Sequence, residues 1–223
     1  MIRHKFPYFQ LMKTLTAIWI MLTTFALCGE LHAQRNRVIE TFRSYITGDF
    51  DNSEQVTAEI KAGRQVHPLS IHVNRIADAK VRNRPPGMKG FFILEESYYL
   101  SEGKPLERKP YLFLFEPEGA DKVRLTAFQL PGDIRKEDLR NDNDMLFFDY
   151  ATLQRSPTFK GAVYDWNASE KSFSTVAPNE LPGGMKFTLI ERFTRDALSV
   201  MELLEKDGKR LTPYDTPILY RRK

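Results

Sequence analysis

The stretch from Gly87 to Phe115 constrains the fold most tightly. Two aromatic-rich apolar runs, Phe91-Phe92-Ile93-Leu94 continuing to Tyr98-Tyr99-Leu100, and Tyr111-Leu112-Phe113-Leu114-Phe115, flank the polar breaker Ser101-Glu102-Gly103-Lys104-Pro105. Both runs are too short for paired core helices, and Pro110 and Pro117 bound the second, favouring extended backbone on either side. The pattern predicts a long β-hairpin.

Composition decides what surrounds it. An apolar fraction of 42% and a charged fraction of 28% over 223 residues suit one globular domain with a real core, a length a single β-barrel can absorb. Residues 1–33 read as a signal peptide: Lys13 precedes a mostly apolar run from Leu15 to Leu27 that is too short for a spanning helix, and Ala33 offers a small residue before Gln34. The expected product is exported, periplasmic or extracellular, with one domain over 34–223 and no transmembrane span. Lipid anchoring through Cys28 is the alternative, with bulky Leu27 against it. Cys28 is the sole cysteine, so cleavage at Ala33 leaves no disulfide and no thiolate for catalysis or metal binding. Without the leader the formal charge falls from +4 to about +2, too little to argue for nucleic acid.

Along the mature chain, Val38, Ile39, Phe42, Tyr45 and Ile46 mark one face of a helix over 36–47, stopped by Gly48 and expected to pack over a barrel end. Ser53 is the expected cap of a second short helix, with Val56 and Ile60 on one face and Gly63 after it. Strands are predicted at Leu69–Ile76, Lys122–Leu130, Ala162–Trp166, Ser172–Ala177, Met185–Phe193, Ala197–Glu205 and Pro217–Arg222. Ala197–Glu205 suits a helix equally by propensity, and its neighbours decide for a strand. The charged excursion from Pro131 to Arg155 is expected to form a crossover or lid, with a short helix from Asp133 to Leu139 and a helical turn over Asp149–Leu153. Closely spaced short strands make an antiparallel meander, and closure removes its edges. The predicted fold is therefore all-β: a lipocalin-like antiparallel β-barrel with one or two N-terminal α-helices and a short helical crossover.

Chemical motifs are scarce. Asp49, Asp51 and Ser53 resemble a calcium loop, but Glu54 stands where its glycine belongs. His67 and His72, five apart, fall on opposite strand faces and make no metal pair, so both are expected to be structural or exposed. No phosphate loop and no nucleophile elbow is present. An aromatic-rich barrel with a few polar residues in apolar runs fits either a binding cavity for a flat apolar ligand or a packed core.

Several pieces in shared order resemble the T-type phycobiliprotein chromophore lyases, the CpcT/CpeT family. Gly48-Asp49-Phe50-Asp51-Asn52-Ser53-Glu54-Gln55 is similar to the family's Gly-x-Phe-x-Asn-x-x-Gln signature. A strand ending in Arg75, then Gly90-Phe91-Phe92 leading to Leu94-Glu95-Glu96-Ser97-Tyr98, then Trp166 with Phe173 and Thr216-Pro217-Ile218-Leu219-Tyr220-Arg221, continue the likeness over nearly the whole mature chain. It departs at Leu106-Glu107-Arg108-Lys109, where the family has a Tyr-Arg-Gln-Arg stretch, in the missing family cysteines, and in one extra residue between Phe92 and Glu95. A one-residue slip there, unless a bulge absorbs it, exchanges cavity and solvent faces.

The resemblance implies a lyase that binds a linear tetrapyrrole (bilin) and assists its attachment to an acceptor-protein cysteine. Glu95 would be the catalytic acid or base, Arg75 the partner of propionates, and Tyr98 and Glu96 further ligand-binding groups. No cofactor is required beyond a bound bilin or other tetrapyrrole, and no metal. The alternatives are an exported non-catalytic lipocalin-like binder of a small hydrophobic ligand, or an envelope interaction module whose barrel is filled by its own side chains.

Overall fold

The computed structural model describes residues 33–100 and 106–223. The leader, Cys28 and the hairpin turn over 101–105 lie outside the described residues. Helix α1 covers 33–46 and α2 covers Ser53–Lys61. The strands are β1 (Gly48–Asp51), β2 (Leu69–Ile76), β3 (Val81–Arg82), β4 (Phe91–Leu100), β5 (Glu107–Glu118), β6 (Lys122–Gln129), β7 (Phe148–Asp149), β8 (Gln154–Arg155), β9 (Ala162–Asn167), β10 (Ser172–Leu181), β11 (Met185–Phe193), β12 (Ala197–Lys206), β13 (Lys209–Arg210) and β14 (Ile218–Arg222). Among the described residues, no helix is long and apolar enough to cross a membrane.

Ten strands form a closed antiparallel barrel in the order β1-β2-β4-β5-β6-β9-β10-β11-β12-β14, and β14 returns to β1. Strands β3, β7, β8 and β13 are short and stand outside the ring. Three prolines fit without breaking the ladder because each lies beyond the end of one neighbouring strand. Pro110 pairs with Glu96 but precedes the β6 pairing that starts at Leu112. Pro117 lies past the last β4 partner, Phe115, and Pro178 lies past the end of β9 pairing at Ser174. A proline has no N–H to donate, so it is tolerated where no strand waits for one.

The unbroken apolar run of β4 has a direct cause: both of its faces are covered. Phe91, Ile93 and Phe115 face inward, whereas Phe92, Leu94, Leu112 and Leu114 face outward against Leu139, Leu146 and Phe148 of the 130–155 crossover. That crossover holds no helix beyond the single turn expected over Asp149–Leu153, where Leu153 N–H donates to Asp149 O. Its side chains are spent on local turns: Arg135 pairs with Asp138, Arg140 with Asp142, and the Asn143 amide donates to Asp138 O while its oxygen accepts from Met145 N. Such bonds compete with a helical ladder, so the helix expected from Asp133 to Leu139 gives way to turns.

α1 stoppers one end of the barrel. Phe42 is fully buried, its ring centroid 5.0 Å from Phe115, 5.1 Å from Tyr164 and 4.8 Å from Phe173. The Arg222 guanidinium holds the helix's C-terminal end by donating to the carbonyls of Ser44, Tyr45 and Thr47, a cation placed where the helix dipole favours one. Gly48 is not the left-handed stop of α1. At φ 140° it opens β1, and a Cβ there would collide with the Arg222 guanidinium.

The Gly48–Gln55 signature is a structural corner at the barrel's closing seam. Phe50 is buried beneath Arg222, whose guanidinium carbon lies 4.7 Å from its ring. Asn52 staples the start of α2 to β2, donating to Pro68 O and accepting from Ser70 N, and Gln55 ties α2 to β14 by donating to Pro217 O and accepting from Leu219 N. Ser53 is the first helical residue rather than the cap; its N–H and hydroxyl both donate to Asp51 Oδ1. Val56 is buried, whereas Ile60, expected on the same buried face, is 59% exposed.

Candidate functional site

A cavity of about 360 Å³ lies within the barrel, lined from α1's Ile46 to Thr158, Phe159 and Phe187 toward the other end. It exceeds the roughly 300 Å³ at which ligand sites begin, so the interior is not filled by its own rings. Strand parity builds its polar lining. His72 on β2 and Glu95 on β4 point inward, as do Glu191 on β11 and Glu202 on β12. Glu191 and Glu202 are diagonal neighbours, since Leu189 is the register partner of Glu202 and Val200 that of Glu191.

His72 Nδ1 lies 2.9 Å from Glu95 Oε1, and the Ser97 hydroxyl donates to the same oxygen at 2.6 Å. Burial alone would raise the Glu95 carboxyl, but the His72 charge and the two hydrogen bonds hold it below the usual range. Burial would lower His72, and the Glu95 charge outweighs it and raises the imidazole. The two form a buried ion pair. His72 Nε2 is buried without a hydrogen-bond partner among the described residues.

The other two acids differ. Burial, together with repulsion from Glu95, pushes Glu191 up to about 7, although the Tyr164 hydroxyl donates to it. Glu202 sits at the cavity's edge and is exposed to solvent; partial desolvation first, then Glu95, raises it, against His72 and Lys109. Burial also raises the phenols of Tyr99 and Tyr111, keeping them as protonated hydrogen-bond donors. Among the described residues no three His, Cys, Asp or Glu side chains gather as a metal site.

The residues expected at the site separate across the sheet. Glu95 lines the cavity. The β4–β5 register runs without a bulge from Phe91 to Tyr99, so its neighbours alternate strictly. Glu96 and Tyr98 therefore face outward: the Tyr98 hydroxyl donates to Glu96 Oε2 at 2.8 Å beneath the crossover. Arg75 also lies outside, paired with Asp49 at 2.6 Å, both side chains 44% exposed.

Sequence reasoning missed His72, Glu191 and Glu202. A signal was present for the acids: Glu191 is in phase with Phe187, Leu189 and Phe193, and Glu202 with Leu198, Val200 and Leu204. An acid on the apolar parity of a strand marks a charge turned toward the interior face.

Fold and site together define a closed β-barrel with an acid-lined interior. No family model matches the chain, and no curated protein matches it in sequence. Among solved structures it is similar to the CRL protein of Arabidopsis, with a TM-score of 0.53 and 9% identity, covering 85% of this chain and 99% of that one. At that identity the likeness shows the fold.

Proposed function

We propose that this barrel binds a linear tetrapyrrole and assists its attachment to a cysteine of an acceptor protein, outside the cytoplasm once a leader over 1–33 is removed. The observation that carries the reading is the buried His72–Glu95 pair in a roomy, aromatic-walled cavity. Pyrrole N–H groups require a buried acceptor, which Glu95 supplies. Attachment forms one S–C bond between the acceptor's sulfur and an exocyclic alkene carbon of the bilin. The thiol proton ends on the neighbouring carbon, and nothing is oxidised. The barrel's share is to fix the bilin's conformation and to lend and reclaim a proton at a ring nitrogen through His72 and Glu95. The nucleophile belongs to the acceptor, so this chain needs no cysteine of its own.

Titrating the protein with biliverdin at micromolar concentration tests this. A shift and sharpening of the visible band is expected, altered by Glu95→Gln in a variant that melts like the wild type; an unchanged spectrum overturns the reading. One observation favours the non-catalytic alternative, a binder of a ligand without carboxylates: among the described residues, no Lys or Arg lines the cavity. Propionates would have to reach the surface, where the Lys109 ammonium lies 5.3 Å from the Tyr99 ring centroid. Native mass spectrometry of freshly purified protein that found a retained small molecule other than a bilin would favour that reading.

A further inference from the structure

The two ring nitrogens of His72 have different fates. The side chain lines the cavity, turned inward by the parity of β2, and the residue is 8% exposed. Nδ1 faces the Glu95 carboxylate at 2.9 Å. Nε2 is buried with no hydrogen-bond partner among the described residues. The Tyr220 ring stands perpendicular to the imidazole with centroids 4.6 Å apart, and its hydroxyl is paired with Ser70 Oγ; a ring face is only a second-order substitute for an oxygen. Among the described residues no Lys or Arg lines the cavity, so the imidazolium is its one cation, set among the carboxyl groups of Glu95, Glu191 and Glu202. An imidazolium donates from both nitrogens, and a buried donor is costly to leave without an acceptor. The rest of the wall limits what can carry that acceptor. Tyr111 and Phe113 stack with ring planes 7° apart and centroids 5.7 Å apart, a flat surface that suits a planar ligand.

We propose that the cavity takes a flat, uncharged, largely apolar ligand with a conjugated carbonyl group, whose oxygen accepts from His72 Nε2. A carboxylate at that place brings a charge that His72 cannot neutralise, because Glu95 already engages the imidazolium, and that the acid-rich lining repels. A basic group brings a second donor where an acceptor is missing. A neutral carbonyl oxygen meets the need and leaves the His72–Glu95 pair whole. The proposal rests on the reading that the cavity holds a ligand. For a bilin it assigns a terminal lactam carbonyl to His72 and keeps the propionates outside; a planar ketone or quinone satisfies the same chemistry.

The test uses matched probes on the purified protein near neutral pH. Fluorenone, fluorene and fluorene-2-carboxylate share one flat ring system and carry a neutral carbonyl, no polar group and an anion respectively. Equilibrium dialysis is expected to show fluorenone bound about tenfold more tightly than either of the others, the low end of the worth of a hydrogen bond to a charged group. The infrared carbonyl stretch of bound fluorenone is expected below its position in hydrocarbon solvent. His72→Leu is expected to erase the preference and return the band to the hydrocarbon position. The proposal is overturned if fluorene or the carboxylate binds as tightly as fluorenone, if none of the three binds, or if the band of the bound ketone is unshifted. It is overturned equally if a folded His72→Leu protein keeps the preference and the shift. Should that variant not fold, the nitrogen NMR signal of the wild-type His72 imidazole decides: it is expected to move with fluorenone and not with fluorene, and the same response to both overturns the proposal. Biliverdin separates the two readings: silence toward it with His72-dependent fluorenone binding removes only the bilin assignment, whereas a biliverdin shift without any preference for fluorenone removes only this one.

Discussion

Glu95 and Glu96 are consecutive residues on one strand with opposite fates. Glu96 faces outward and is saturated: Oε1 accepts from Asn141 N at 2.8 Å, and Oε2 accepts from the Tyr98 hydroxyl at 2.8 Å and Arg108 Nη1 at 3.2 Å. Arg108 in turn donates to the carbonyls of Leu139 and Lys136, so the pair pins the crossover to the barrel. Glu95 faces inward, where only Oε1 is engaged among the described residues, by His72 and Ser97. The outer carboxylate is an element of architecture with both oxygens engaged. The inner one retains capacity for something that is not part of the chain. A fully satisfied buried network specifies one structure, and a partly satisfied one invites a guest.

The sharpest way to break that contrast is Arg108→Ala. It leaves Glu96, whose side chain is 5% exposed, without its charge partner, and should cost about 3–5 kcal/mol in denaturant unfolding. Proteolytic nicking of the crossover should rise as well. A loss below about 1 kcal/mol, the worth of an exposed pair, would erase the distinction between the two faces.

The inner face should instead announce itself through pH. Glu191 binds its proton more tightly when folded, at about 7 against 4.5 for the free side chain, so the native state carries the extra proton between those values. That contribution is fully present below 4.5 and lost as pH rises through about 7, on the order of 3 kcal/mol. Glu202 acts in the same direction. Raised His72 adds stability that is lost only above 6.5, whereas lowered Glu95 contributes stability lost only below 4.5. Thermal melts should therefore show stability falling from pH 5 to 8, and Glu191→Gln should flatten the fall. A wild-type profile already flat over that window would contradict a buried, protonated Glu191.

The smallest effect belongs to Arg75→Ala. Its ion pair with Asp49 is exposed on both sides and screened by solvent, so stability should change by less than about 1 kcal/mol. Biliverdin binding should be unaltered. Weakened binding would mean that the outer face reaches the ligand by a route the strand parity does not provide.

The barrel was legible in the sequence because strand periodicity is local. The alternation in Leu69–Ile76 and Met185–Phe193 marked the strands to the residue, and Ala197–Lys206 is a strand despite its helix-forming composition because β11 and β14 hold it on either side. The site was half legible. Glu95 was found through a resemblance, but the faces of Arg75, Glu96 and Tyr98 depended on register, which a single stretch does not reveal. His72 gave no local sign, because its importance comes from Glu95 on the adjacent strand. The crossover misled because the helix expected from Asp133 gives way to local turns in which Asp138 and Asp142 bind Arg135 and Arg140.

The seam between β1 and β14 has a consequence for how the molecule assembles. Hairpins such as β4–β5 and β10–β11 can zip as soon as their own residues are free. The ring shuts only when contacts such as that of Arg222 with Thr47, 175 positions away in the chain, are made. Loop-closure entropy places such distant pairings late and makes the route slow, on the millisecond-to-second scale of barrels rich in remote contacts. Until that last stitch, the acid-lined interior is an open trough.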